Sequence, residues 1–100
     1  MFTDIVGSVA LQQKLGTNDY TRFVSRHDEI IKDCLSTTPN AKILNETGDG
    51  FLIRFTDPSD AVNAALRLQY RLSLEKCEGE LITVRIGLNM GVITEMDETN

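Results

Sequence analysis

The chain has 100 residues and a formal net charge of −5, from 15 acidic and 10 basic side chains. That length holds one domain, and an apolar fraction of 41% is enough for one small core. No basic stripe is present to hold nucleic acid by its phosphates, so no nucleic-acid partner is expected. No apolar run reaches spanning length and no signal-peptide pattern is seen, so no membrane contact is expected from this segment. Cys34 and Cys77 lie far apart and outside any CxxC pair. That fits a reducing, cytoplasmic compartment, and a parent protein anchored in a membrane elsewhere is compatible with it.

Met1 to Val6 reads as the end of a strand, broken by Gly7-Ser8, with Ser8 placed to cap a helix. Val9 to Leu15 predicts that short helix, ended by Gly16. Thr17 or Asn18 opens a second helix, in which Tyr20, Phe23, Val24, His27, Ile30, Ile31, Cys34 and Leu35 form an apolar stripe. Pro39-Asn40 ends it.

Ala41 to Glu46 and Phe51 to Phe55 predict two strands, and Asp49-Gly50 between them is a hairpin signal. The second of these runs is almost wholly apolar, which predicts a strand covered on both faces. Asp57, Pro58 and Asp60 mark a helix start. Ala61, Ala65, Leu68 and Leu72 should line one face of that helix, with Val62 and Leu66 beside it, and Cys77 near its end. Leu81 to Ile93 predicts a long final strand containing Gly87 and Gly91. The order β-α-α-β-β-α-β predicts an α+β class, a ferredoxin-like split βαβ sandwich with its helices on one face.

Two aspartates are candidates for chemistry. Asp4 ends a buried strand just before a Gly-Ser turn into a helix, where free N–H groups suit a phosphate. A carboxylate beside a phosphate cradle is what a magnesium–nucleotide site needs; equally, Asp4 caps the turn. Asp49 lies in the hairpin turn, where Asp-Gly occurs for conformational reasons alone. In a split βαβ sheet we expect the first strand to neighbour the first hairpin strand, bringing the two aspartates together. Carboxylates converging there repel unless a cation lies between them, and a two-metal site would supply it.

Other features read as structural. His27 lies on an apolar helical stripe and is read as packed or capped; it is the only histidine, which rules out a histidine-based zinc site. Asn45, Thr47 and Asp49 mimic the start of a calcium loop, but Thr56 stands where the bidentate glutamate belongs. There is no GxxxxGK[ST] motif.

Three motifs then resemble those of class III adenylate and guanylate cyclases: Phe2-Thr3-Asp4-Ile5-Val6-Gly7-Ser8, Gly48-Asp49-Gly50-Phe51 and Val84-Arg85-Ile86-Gly87. Asp57-Pro58 with Ala61, Ala64 and Ala65 resembles the helix between the last two, so the resemblance covers nearly the whole chain. It implies that Asp4 and Asp49 hold two divalent ions, Mg²⁺ or Mn²⁺, with the Ile5 carbonyl joining one of them. One ion activates the ribose 3′-hydroxyl, and the other steadies the triphosphate.

The resemblance also implies that Val6, Gly7 and Ser8 hold phosphate through their amides. Arg85 matches an arginine that reaches the terminal phosphates; the plainer reading, with the smaller share of the weight, is a solvated strand residue. Asn45 stands where adenylate cyclases usually carry a purine-reading lysine; it can still contact a purine, or simply close its strand. The implied partners are ATP or GTP and a second cyclase domain in a homodimer. The implied domain is residues 1–100, incomplete at its C-terminal end, so that this stretch alone turns over little or nothing. The alternative is a catalytically silent cyclase-like domain kept for regulation or dimerisation.

Overall fold

The computed structural model describes residues 1–91. Strand β1 (Phe2–Ile5) leads into helix α1 (Ser8–Ser36), and then comes a hairpin of β2 (Lys42–Glu46) and β3 (Gly50–Arg54). Helix α2 (Pro58–Ser73), the short strands β4 (Lys76–Cys77) and β5 (Glu80–Leu81), and strand β6 (Val84–Gly87) complete it. The main sheet is antiparallel throughout in the order β2-β3-β1-β6, the ferredoxin-like arrangement.

The neighbour of β1 is therefore β3, the second hairpin strand, and not the first as anticipated. The split βαβ rule explains this, since β1 and β2 run parallel with a strand inserted between them. The expected juxtaposition is the tighter for it: Asp4 lies directly opposite Gly50, the residue after Asp49.

Helix α1 forms as its stripe dictates, burying Phe23, His27, Ile30, Ile31 and Cys34. Gly16, at φ 79° and ψ 170°, breaks it where the sequence predicts two helices. Ser8 is the first helical residue rather than the cap; Gly7 holds the cap position in the left-handed region, with no side-chain cap. Helix α2 starts on Asp57, whose carboxylate accepts from the Ser59 amide at 2.8 Å. Its buried residues are Ala64, Leu68 and Leu72, while Val62 and Leu66 are exposed. The apolar face is thus rotated from the one read off the sequence.

These helices pack on one side of the sheet. Phe23, Ile30 and Ile31 from α1 and Leu68 and Leu72 from α2 meet Ile5, Phe51, Ile53 and Val84 from the strands. The other face is open. Leu52 is 42% exposed and lies opposite Phe2, 51% exposed, so β3 is covered on one face only. Its continuous apolar run hid an ordinary alternation.

The expected long final strand is interrupted. Glu78 and Gly79, both at positive φ, turn β4 back on β5, and β6 begins at Val84 after the buried Ile82. Cys77 consequently lies in a strand rather than at the helix end. The part of that prediction reaching Ile93 lies outside the described residues. Arg22 to Glu78, Arg26 to Glu75 and Lys14 to Glu80 tie this ribbon to α1.

Gly50 is where β1 and β3 press together. A side-chain carbon there would overlap the Thr3 carbonyl oxygen and lie 3.2 Å from the Asp4 Cα. The obstacle is backbone, which cannot step aside. Gly48, two residues earlier, faces open space. Gly50→Ala is expected to cost about 1–3 kcal/mol as overpacking, and Gly48→Ala about 0.5 kcal/mol or less, in urea unfolding.

His27 is fully buried beside the Phe51 ring, with centroids 5.8 Å apart. Its Nδ1 donates to Asp28 Oδ1 at 2.9 Å, and Nε2 has no partner. Burial pushes the imidazole below its ordinary value; the hydrogen bond and charge of Asp28, and the charge of Asp49, oppose this. The unfolded chain therefore binds this proton first as pH falls. Stability should be intact above about pH 6.5 and decline from there toward pH 5. Unfolding of His27→Gln across that window should show a flatter slope than the parent.

Candidate functional site

The first strand delivers Asp4 to the open face, between β3 and β6, because Thr3 and Ile5 on either side of it are buried against the helices. Its direct cross-strand partner on β6 is Arg85. The guanidinium takes both carboxylate oxygens, Nε to Oδ1 and Nη2 to Oδ2, each at 2.9 Å. This two-pronged match is what a planar fork gives a carboxylate. The pairing holds the guanidinium above its ordinary value, chiefly through the hydrogen bonds to Asp4, then through the charges of Asp4 and Asp49.

Asp49 is the last residue before β3 and is half-buried. Its Oδ2 accepts from the Ser8 hydroxyl at 3.0 Å, and Oδ1 from the Thr47 hydroxyl at 3.4 Å. Its main-chain carbonyl accepts from the Ile5 amide at 2.9 Å. The two aspartates are thus bound into one backbone junction, although their carboxylates turn to different partners. The charge of Asp49 is felt on the Tyr20 phenol, raised chiefly by burial, as well as on His27 and Arg85. Tyr20 and His27 were read from the sequence as core positions only. Their shared helical spacing was visible, but nothing in it showed that this face ends beside Asp49.

The turn after β1 meets only part of the phosphate-cradle expectation. The Val6 amide donates to the Thr83 carbonyl at 2.8 Å, so it is engaged in the backbone and is not offered to a phosphate. Gly7 and Ser8 lie at the start of α1, where the first amides have no partners within the helix. Asn45 is exposed on the open face, in one row with Leu52, Phe2 and Gly87. Two strand spacings and one pleat repeat separate it from Asp4, about 12 Å. The structure therefore brings Asp4, Asp49, Ser8 and Arg85 to one corner and leaves Asn45 outside it. An apolar concavity lined by Met1, Ile53, Phe55, Ala61 and Leu88 lies at the opposite end of β1.

The side-chain donors at this corner are oxygens, those of two carboxylates and of the Ser8 hydroxyl. That set suits hard cations such as Mg²⁺ or Mn²⁺. Among the described residues, no group of three or more His, Cys, Asp or Glu side chains stands ready to hold a metal.

No family model matches the chain. In sequence it is 27% identical over 97 residues to "Putative adenylate cyclase 3" of Rhizobium meliloti (strain 1021), covering 94% of this chain and 16% of that protein. In structure it is similar to the guanylate cyclase domain of RhGC from Catenaria anguillulae, solved with GTP, with a TM-score of 0.77 at 21% identity. It is also similar to the catalytic core of a rhodopsin-guanylyl cyclase with converted specificity, solved with ATPαS, with a TM-score of 0.79 at 23% identity. Each of these matches covers 96% of this chain and 59% of the other. The guanylyl cyclase domain of the RhoGC fusion protein from Blastocladiella emersonii matches over 84% of this chain and 51% of its own, with a TM-score of 0.75. The chain thus has the fold of these cyclase catalytic domains, spans 59% of the length of the first two, and is similar in sequence to one putative adenylate cyclase.

Proposed function

We propose that this chain is the metal-binding part of a domain that converts ATP or GTP to the 3′,5′-cyclic nucleotide and pyrophosphate. The observation that carries the reading is the corner itself: Asp4 lies opposite Gly50, and the Ile5 amide closes on the Asp49 carbonyl at 2.9 Å. Two carboxylates held by adjacent backbone positions beside a helix start suit a metal-bound triphosphate.

In this reading Asp4, Asp49 and the Ile5 carbonyl hold Mg²⁺ or Mn²⁺. Bound there, such ions would supply acidification of the ribose hydroxyl and neutralisation of charge on the phosphates. The amides of Gly7 and Ser8 hold phosphate, and Ser8 additionally orients Asp49 through its hydroxyl. Arg85 turns from Asp4 to the terminal phosphates, a task its fork geometry fits. Asn45, on the same sheet face but outside the corner, reads a purine. Its distance from Asp4 supports an arrangement in which two domains pair, each supplying metals to one site and base contacts to the other. The chain spans 59% of the solved relatives it matches, and in this reading residues 1–100 are one portion of the domain. Turnover by this stretch alone is then negligible.

The experiment is ligand-dependent melting. With Mn²⁺–ATP or Mn²⁺–GTP at ten times the dissociation constant, the melting temperature should rise by roughly 5–10 °C. Asp4→Asn and Asp49→Asn should each abolish the rise. Equal shifts in parent and variants would refute the metal site. If the shift is present but a chain extended through the remainder of the domain forms no cyclic nucleotide with either metal, the silent, regulatory reading stands instead.

A further inference from the structure

We propose that Arg85 is a latch on Asp4, occupying both of its carboxylate oxygens until a metal and a phosphate chain arrive together, and so making their binding cooperative. The latch rests on the nucleotide-site reading above and adds a coupling to it. Three observations lead to it. The pair is built into the sheet, because Asp4 and Arg85 are direct partners in the β1–β6 register. Both Asp4 oxygens are taken, at 2.9 Å each, so an incoming cation must displace at least one N–H donor. The Arg85 side chain is 73% exposed while that of Asp4 is 21% exposed, so the arginine is the member free to move.

A metal ion arriving alone must break this pair and leave the guanidinium with water only. A metal arriving with a triphosphate gives the displaced guanidinium a new anion in the same corner. Metal and phosphate then strengthen each other by a common factor, as linkage requires.

The probes are Mn²⁺ alone, followed by titration calorimetry or electron paramagnetic resonance, and the Mn²⁺–tripolyphosphate complex. Arg85→Gln should bind Mn²⁺ alone about fivefold more tightly than the parent, the scale of an exposed ion pair. It should bind Mn²⁺–tripolyphosphate more weakly. Arg85→Lys keeps the charge but cannot cover both oxygens, so it should also gain affinity for Mn²⁺ alone. Melting temperatures of both variants without ligand should fall by no more than about 5 °C, the scale of an exposed ion pair in a domain of this size.

If Arg85→Lys behaves as the parent and only Arg85→Gln gains, the general positive field is responsible and the latch is wrong. If neither variant gains while Asp4→Asn abolishes binding, the latch is wrong and the metal site stands. If no protein binds Mn²⁺ or Mn²⁺–tripolyphosphate, the site reading fails and the latch with it.

Discussion

The close approach of β1 to β3 at Gly50 is the constraint on which this end of the molecule depends. The backbone of β3 comes so near the Thr3 carbonyl that no side chain fits between them. The same crossing supplies an unusual strand contact, in which the Phe51 amide donates to the Thr3 hydroxyl at 3.2 Å. Thr3 is consequently fully buried, its polar atom satisfied by the neighbouring strand. Because Asp4 follows Thr3 and Asp49 precedes Gly50, both aspartates inherit their positions from this backbone contact and not from side-chain packing. An Asp-Gly pair in a hairpin ordinarily signals positive φ at its turn. Here, among the described glycines, positive φ is found at Gly7, Gly16 and Gly79, while Gly50 is required by proximity.

Two acidic groups at one strand end need compensation, since a half-buried carboxylate without partners costs stability. The fold answers with groups that are easily withdrawn. Arg85 reaches Asp4 from solvent, and Ser8 offers a single hydroxyl to Asp49. An exposed ion pair contributes little to stability, on the order of 0–1 kcal/mol. Replacing it by a cation and an anionic ligand therefore asks little of the fold. The backbone is fixed and the side-chain partners are exchangeable, a combination suited to binding a charged ligand reversibly.

Much of this was legible in the sequence. The helical stripe from Phe23 to Cys34 set the buried face of α1, and Asp57-Pro58 set the start of α2, because periodicity and capping are local properties. The motif spacing pointed to the cyclase fold that the solved structures share. What escaped depends on tertiary context. The partner of β1 follows from strand insertion rather than from chain order. The exposure of Leu52 could not be read from a run in which both alternating sets are apolar. Leu66 is apolar yet faces solvent, and Ala64 lies inward in its place. The Val6 amide was expected to be open, but the loop before β6 returns to take it, a contact spanning most of the chain. None of these contacts leaves a local signature.

Asn45 shows the same limit most sharply. Ile43 pairs with the buried Ile53, so its side chain belongs to the helix-facing side. By alternation Asn45, two residues on, should share that side. Instead it pairs with the exposed Leu52, because the register shifts between Ile43 and Asn45 and Leu44 takes up the extra residue. Such a bulge reverses the facing of everything beyond it. It places the Asn45 amide on the open face with Asp4 and Arg85. Without it, Glu46 would turn to the open face, adding an acidic group to the side that carries Asp4. In the actual register Glu46 pairs with Phe51 and reaches Lys32 on α1 at 3.3 Å. One irregular residue in β2 thus keeps a further carboxylate away from the open side and an uncharged amide on it. The geometry of the strand, rather than the choice of Asn alone, determines which groups this edge of the sheet presents.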